Sequence, residues 1–386
     1  MKVTGAWIAD AGTQAICAAL VAAGWRALFV GGCVRNALLD VPVGDIDIAS
    51  DAPPQVVSDL CRAAGFKVVP TGIDHGTVTV VANGVPHEVT TFRRDVETNG
   101  RHAVVAFSDR IEEDAARRDF TMNALYAAPD GTVIDPLGGL PDLQARRLRF
   151  VGDPALRIRE DYLRILRFFR FHAIYGDPAQ GIDAEGLAAC AALAEGLAGL
   201  SAERIGAEMK KLLAAADPAP AVASMAQAGV LARVLPGADA RGLAPLVHLE
   251  AGRAPRWLRR LVVLGGADVA QSWRLSRSEA RDLGRLRDAV GSGESPAVLG
   301  WRMQADLAVD AVLARAALLE MPVPDGWEAD VARGAAAQMP VKPADLMPGL
   351  QGQALGARLK EIEADWCASD LRAGRDVLLR GRSLSG

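Results

Sequence analysis

The chain has 386 residues, half of them apolar, with a formal net charge of −4. That length suits two or more domains with a large core, and no apolar run reaches the roughly 18 residues of a membrane span, so no membrane partner is expected. The N-terminal stretch MKVTGAWIADAGTQAICAAL has no signal-peptide pattern because Asp10 interrupts it, and the five scattered cysteines suggest reduced thiols in a cytoplasm.

In chain order, WRALFV is a short apolar run ending at Gly31-Gly32, and VRNALLD behind it suits a short helix. DIDIAS reads as a buried strand. PPQVVSDLCRAAG opens with proline and closes with glycine, as a helix should. GTVTVVANGVPHEVTTFR holds two β-rich runs joined by Asn83-Gly84, the strongest short-range hairpin signal. Arg93 to Asp109 is long and polar around Asn99-Gly100 and reads as a loop. The first 140 residues are therefore α+β with a small mixed sheet. After about residue 142 the β-branched clusters thin out, and Ala, Leu, Arg and Glu dominate. The remainder reads as all-helical, with Ser201 capping SAERIGAEMKKLLAAA.

In a strand, residues two apart share a face, so Asp45 and Asp47 project together while Ile46 and Ile48 point into the core. Convergent carboxylates repel unless a cation neutralises them. Mg²⁺ takes one or two carboxylates plus substrate phosphates, and Glu88 on the hairpin's second strand could add a third acid. The alternative is that Asp47 caps a turn and Glu88 pairs with Arg93. Upstream, Gly31 and Gly32 permit close backbone approach, the helix start offers free N–H groups, and Arg35 can clamp a phosphate oxygen.

Two basic stretches follow, eight arginines from Arg146 to Arg170 and nine from Arg253 to Arg287. They are either phosphate-binding patches or solvated helix faces. In RIREDYLRILRFFRF, helical spacing puts Ile158, Tyr162, Ile165, Leu166, Phe169 and Ala173 on one stripe, with Arg157, Glu160, Asp161, Arg164 and Phe168 opposite. Glu160 and Arg164 can form an i,i+4 ion pair. Asp119 and Asn123, four apart, would share a helix face, or Asp119 would simply cap that helix.

LFVGGCVRNALLDVPVGDIDIAS, HEVTTFRRD, RRDFTMNALY, RIREDYLRILRFFRF and SAERIGAEMKKLL, in this order, closely resemble the class II tRNA nucleotidyltransferases, a family of bacterial CCA-adding enzymes and poly(A) polymerases. The resemblance covers roughly residues 26–215, and DLMPGLQGQALGARLKEIEADW is similar to the family's tail. It implies an α+β nucleotidyltransferase head (1–141), followed by an all-α neck (142–215), body (216–300) and tail (301–386). Asp45 and Asp47 would hold Mg²⁺, with Glu88 as third catalytic carboxylate. Gly31, Gly32, Arg35, Arg118 and Arg167 would bind the nucleotide, and Asp119 and Asn123 the ribose.

Glu160, Asp161 and Arg164 would form a protein template for the base. Cytosine and adenine both present an exocyclic amine beside a ring-nitrogen acceptor. Asp161 can accept from the amine and Arg164 can donate to the ring nitrogen, while uracil and guanine present the reverse order and would leave polar groups unpaired. By the same resemblance the C-terminal half grips the acceptor and TΨC arms of tRNA, with Arg253, Arg256, Arg259 and Arg260 as candidates. The implied activity is addition of C, C and A to tRNA 3′ ends from CTP and ATP by a cytoplasmic monomer, with a loop at 93–109 assisting the change from CTP to ATP. Poly(A), CC-only or A-only addition are the alternatives within the family, and a non-catalytic RNA-binding protein the alternative outside it. One departure stands out: the family's GGxVRD motif ends here in Asn36.

Overall fold

The β-branched runs of the first 140 residues become strands in the computed structural model, which describes residues 1–99, 102–347 and 349–380. β1 (Leu28–Val30), β2 (Ile46–Ser50), β3 (Lys67–Gly72), β4 (Thr77–Ala82), β5 (Val85–Thr91), β8 (Tyr126–Ala127) and β9 (Val133–Ile134) make one sheet in the order β3-β4-β5-β2-β1-β8-β9. β2 and β5 run parallel, while the other neighbours are antiparallel, so the sheet is mixed as expected. Asn83 (φ 51°) and Gly84 (φ 80°) turn β4 into β5, the paired positive φ of a type I′ hairpin. One face is the core: Ile48, Val78, Val80 and Val89 are fully buried. His87 joins them, satisfied by the Thr13 hydroxyl at 2.8 Å.

The stretch after Arg93, read as a loop, is instead a separate two-stranded ribbon, β6 (Arg93–Asn99) and β7 (His102–Phe107). Gly100 of the expected Asn99-Gly100 centre lies outside the described residues. HAVVAF carries the strand formers Val104, Val105 and Phe107, which the polar reading overlooked.

No strand among the described residues follows β9. RIREDYLRILRFFRF does not form one helix: Pro154–Glu160 and Leu163–Tyr175 are separated by Asp161, whose backbone is extended (φ −153°, ψ 106°). The break re-phases the two faces. Phe168, expected among the polar residues, is fully buried against Phe120, Phe150 and Phe169.

The chain divides into two units, Met1–Leu212 with Pro220–Val234, and Leu213–Ala219 with Leu235–Gly386. Ions organise the second unit. Arg259 and Arg260, only 2% and 1% exposed, were expected on an RNA-binding surface; instead they lie in the core. Arg259 donates to Glu250 at 2.8 Å and to Asp310 at 2.9 Å. Arg260 donates to Glu250 at 2.7 Å and to the carbonyls of Leu213 (2.7 Å) and Ala216 (2.9 Å). Burial pushes the Asp310 carboxyl up to about 6 despite its arginine neighbours. No helix among the described residues is long and apolar enough to cross a membrane.

Removing one partner of such a network leaves buried charge uncompensated. Glu250→Ala is therefore expected to destabilise the second unit by about 3–5 kcal/mol in denaturant unfolding. A loss below about 1 kcal/mol would show that the arginines do not depend on it.

Candidate active site

The strand register builds the acidic face. Asp47 lies directly opposite Glu88 across the parallel β2–β5 pair, with Ile46 opposite His87 and Ile48 opposite Val89, so the acids share one face and the core residues the other. Asp45 sits just before β2, which begins at Ile46 rather than at Asp45. Burial, then the negative charges of Glu88 and Asp45, push the Asp47 carboxyl up to about 6, with Arg118 pulling it back. The acids therefore repel one another, and this all-oxygen donor set suits a hard divalent cation. Among the described residues no group of three or more His, Cys, Asp or Glu forms a ready metal cage. An open pair of carboxylates suits an ion that keeps positions for substrate oxygens.

Beside this face stands Gly31, whose φ of 68° ends β1 and starts the short Gly32–Leu38 helix. A methyl group there would lie 3.3 Å from Arg118 Nη1 and 3.6 Å from the Asn123 carbonyl, so it is the backbone conformation that calls for glycine, with Arg118 packed close against it. Arg118 is aimed by Asp114 (3.1 Å) and the Tyr126 hydroxyl (3.2 Å). Asp114 also accepts from Tyr126 at 2.6 Å and from Arg117 at 2.8 Å.

Arg35 is placed differently from expectation. It is buried, donates to Asn123 Oδ1, to the Tyr175 hydroxyl at 2.7 Å and to Asn36 Oδ1 at 2.9 Å, and lies 4.0 Å over the Tyr175 ring. Most of its donors are engaged inside the protein, which makes it a strut rather than a free clamp. Asn36 keeps the acceptor for Arg35 and uses its amide N–H to hold the Pro42 carbonyl at 2.9 Å, on the segment leading to Asp45. An aspartate could not make that second bond.

Asp119 and Asn123 do not lie on one α-helix. Thr121–Asn123 is a single 3₁₀ turn, and Asp119 precedes it. They meet nonetheless, Asn123 Nδ2 donating to Asp119 Oδ1 at 2.9 Å. Arg167 donates to the other oxygen at 2.5 and 2.8 Å. Although burial raises it, this arginine and Asn123 hold the Asp119 carboxyl below the usual range.

On the helical side, Arg164 donates to Glu160 at 2.5 Å and to the carbonyls of Arg157 (2.8 Å) and Arg117 (3.1 Å). Glu160 also takes Arg157. Asp161 is not part of that cluster: its Oδ1 accepts from the Leu163 N–H at 3.1 Å and its Oδ2 from Arg204 at 2.6 Å. Arg204, Asp114 and Tyr126 lie outside the residues expected from the sequence, whereas Arg157 was expected on the polar face with Glu160 and Arg164. Arg204 lies inside the quoted SAERIGAEMKKLL motif, and Asp114 precedes Arg117 and Arg118 at the i+3 and i+4 spacings that signal a helical ion pair.

In the second unit, Arg253 pairs with Glu328 and Arg256 lines an open cleft of about 860 Å³ together with Arg281, Arg285, Trp301 and Arg302. Arg281 and Arg285 fall within the basic stretch noted above, and Arg302 lies beyond it.

Residues 27–149 match the Poly A polymerase head domain, and residues 181–241 match a domain described as the probable RNA and SrmB-binding site of polymerase A. A CCA-adding enzyme of Geobacillus thermodenitrificans is 39% identical over 307 residues, 79% of this chain and 69% of the relative. The Homo sapiens mitochondrial CCA tRNA nucleotidyltransferase 1 is 45% identical over 184 residues, 47% of this chain and 42% of the human protein. Among solved structures, a Bacillus stearothermophilus CCA-adding enzyme in complex with CTP superposes with a TM-score of 0.72 at 30% identity, covering 93% of both chains.

Burial alone would raise Asp114, but Arg118 and Arg117 hold it down at about 2, below its unfolded value of 3.8. A carboxylate lowered in this way contributes stability above the unfolded pKa, and the contribution disappears as pH falls towards the folded pKa. Wild type is expected to exceed Asp114→Asn by roughly 2 kcal/mol above pH 4, with the gap closing between about pH 4 and pH 2. Denaturant unfolding across that range checks it, and a gap independent of pH would contradict it.

Proposed function

Because the chain belongs to the CCA-adding enzyme family, we propose that it extends tRNA 3′ ends with C, C and A, taking CTP and ATP without a nucleic-acid template. The observation that carries this reading is the β2–β5 register that faces Asp47 and Glu88 together, beside an Arg118 fixed by Asp114. It is an acidic face with a cation poised next to it, as transfer of a nucleotidyl group onto a hydroxyl requires.

The family depends on a divalent metal, which we take to be Mg²⁺ held by Asp45 and Asp47, with Glu88 as the third carboxylate. Bound there, the ion would lower the pKa of the RNA 3′-hydroxyl and neutralise charge on the triphosphate. The protein's own groups do the rest. Gly31 and Gly32 let the triphosphate approach the backbone, and Arg118 faces its charge. Asp119 and Asn123 stand at the ribose, with Arg35 and Arg167 setting their orientation. Asp161 accepts from the exocyclic amine of cytosine or adenine and Arg164 donates to the ring nitrogen, with Glu160 fixing the guanidinium. Uracil would set a carbonyl against the carboxylate and an N–H against the guanidinium.

Within this reading residues 1–141 are the catalytic head, 142–215 the neck, 216–300 the body and 301–386 the tail. The cleft at Arg256, Arg281, Arg285 and Arg302, together with Arg253, is the surface for tRNA phosphates. The protein acts as a cytoplasmic monomer, and its five cysteines, all free, suit that compartment.

Two variants test the division of labour in single-nucleotide incorporation on a tRNA ending at the discriminator base. Asp47→Ala is expected to lower the rate at least about a thousandfold with tRNA affinity retained; surviving activity would remove the metal assignment. Arg164→Ala is expected to admit UTP while triphosphate affinity changes little. Unchanged rejection of UTP would refute the base template.

A further inference from the structure

The base-reading side chains are held by separate partners, and one of those partners lies outside the residues assigned above. Glu160 and Asp161 are adjacent acids, each with its own arginine. Glu160 takes Arg157 and Arg164. Asp161 takes Arg204, whose Nη2 reaches its Oδ2 at 2.6 Å. Arg204 comes from the Ala202–Leu213 helix, where its backbone N–H is held by Ser201 at the helix start.

The geometry points to Arg204 as a positioning residue for base selection, acting through Asp161. This rests on the reading of Asp161 as the acceptor for the base amine. Asp161 sits at an extended residue between two helices, where nothing in the backbone pattern fixes its carboxylate. Two bonds fix it instead, the Leu163 N–H on Oδ1 and Arg204 on Oδ2. A carboxylate has about four acceptor positions, so these two leave others open for an exocyclic amine. Without Arg204, only the Leu163 N–H would hold the Asp161 carboxylate, and it could turn towards Arg164 three residues on, so that the acceptor and donor of the template pair with each other.

Steric fit supports the same point from another direction. Tyr162, the next residue, packs over Gly196. A methyl group on Gly196 would stand 2.0 Å from Tyr162 Cδ1 and Cε1, closer than any real contact. The turn Ala194–Gly199 therefore seats Tyr162, and the helix that follows it supplies Arg204. A single stretch of chain, 194–204, grips both residues of the break.

The test is single-turnover incorporation by the full-length protein with CTP, ATP and UTP separately, for Arg204→Met, Arg204→Lys and Asp161→Asn. Methionine keeps the apolar stem, and lysine keeps the charge. Arg204→Met is expected to narrow the CTP/UTP and ATP/UTP ratios of kcat/KM by about tenfold or more, mainly through KM for CTP and ATP, with Arg204→Lys recovering part of the ratio. A uniform fall for all three nucleotides with ratios unchanged would mean a merely structural role and would overturn the inference. If Asp161→Asn narrows the ratios and Arg204→Met does not, the inference about Arg204 fails while the template reading stands. Ratios unmoved by Asp161→Asn would sink both. Gly196→Ala is expected to reproduce the Arg204→Met ratios, and wild-type ratios in that variant would contradict the seating of the break.

Discussion

One buried carboxylate holds the first unit's two working faces together. Asp119 accepts from Asn123 on one oxygen and from Arg167, on the Leu163–Tyr175 helix, on the other. Asn123 passes the connection to Arg35, which lies between it and the Tyr175 ring. The sheet turn at Gly31 and the helix carrying Arg164 are thus tied through a continuous set of charge-assisted hydrogen bonds. Such a network is costly when any member lacks a partner and rigid when all are satisfied. Everything proposed for catalysis needs that rigidity, since in that proposal the acidic face would meet the triphosphate while Asp161 and Arg164 would meet the base of the same nucleotide.

Arginine is used here as internal scaffolding as much as surface charge. Arg35, Arg259 and Arg260 are buried and partnered inside the protein, and Arg118 and Arg164 are aimed by carboxylates or carbonyls. The planar guanidinium, with five donors in a fixed fork, can satisfy several acceptors at once. A count of arginines along the chain therefore says little about where anions bind. In WLRRL the two adjacent arginines look like a phosphate patch, yet Glu250, one short helix upstream, holds both in the core, and Asp310, far off in sequence, holds Arg259.

Much of the site was nevertheless legible. Asn83-Gly84 fixed the hairpin, the alternation of DIDI separated acids from core residues, and SAERIGAEMKKLL announced its cap. The pairing of β2 with β5 was not legible, because a parallel neighbour is set by long-range packing and not by local pattern. Nor was the helix break at Asp161. The 3.6-residue period continues across it in sequence, and only the bonds to Arg204 and the Leu163 N–H reveal why the chain opens there. The ribbon at β6–β7 was hidden by its charged first strand.

The central proposal is that a single site admits cytosine and adenine in a limited order and excludes the rest. The direct measurement is to incubate the purified protein with a tRNA lacking its last three nucleotides and all four nucleoside triphosphates, then to sequence the 3′ ends. The expected ends read CCA and stop there. Long runs of A, ends that stop at CC, or incorporated U would contradict the proposal.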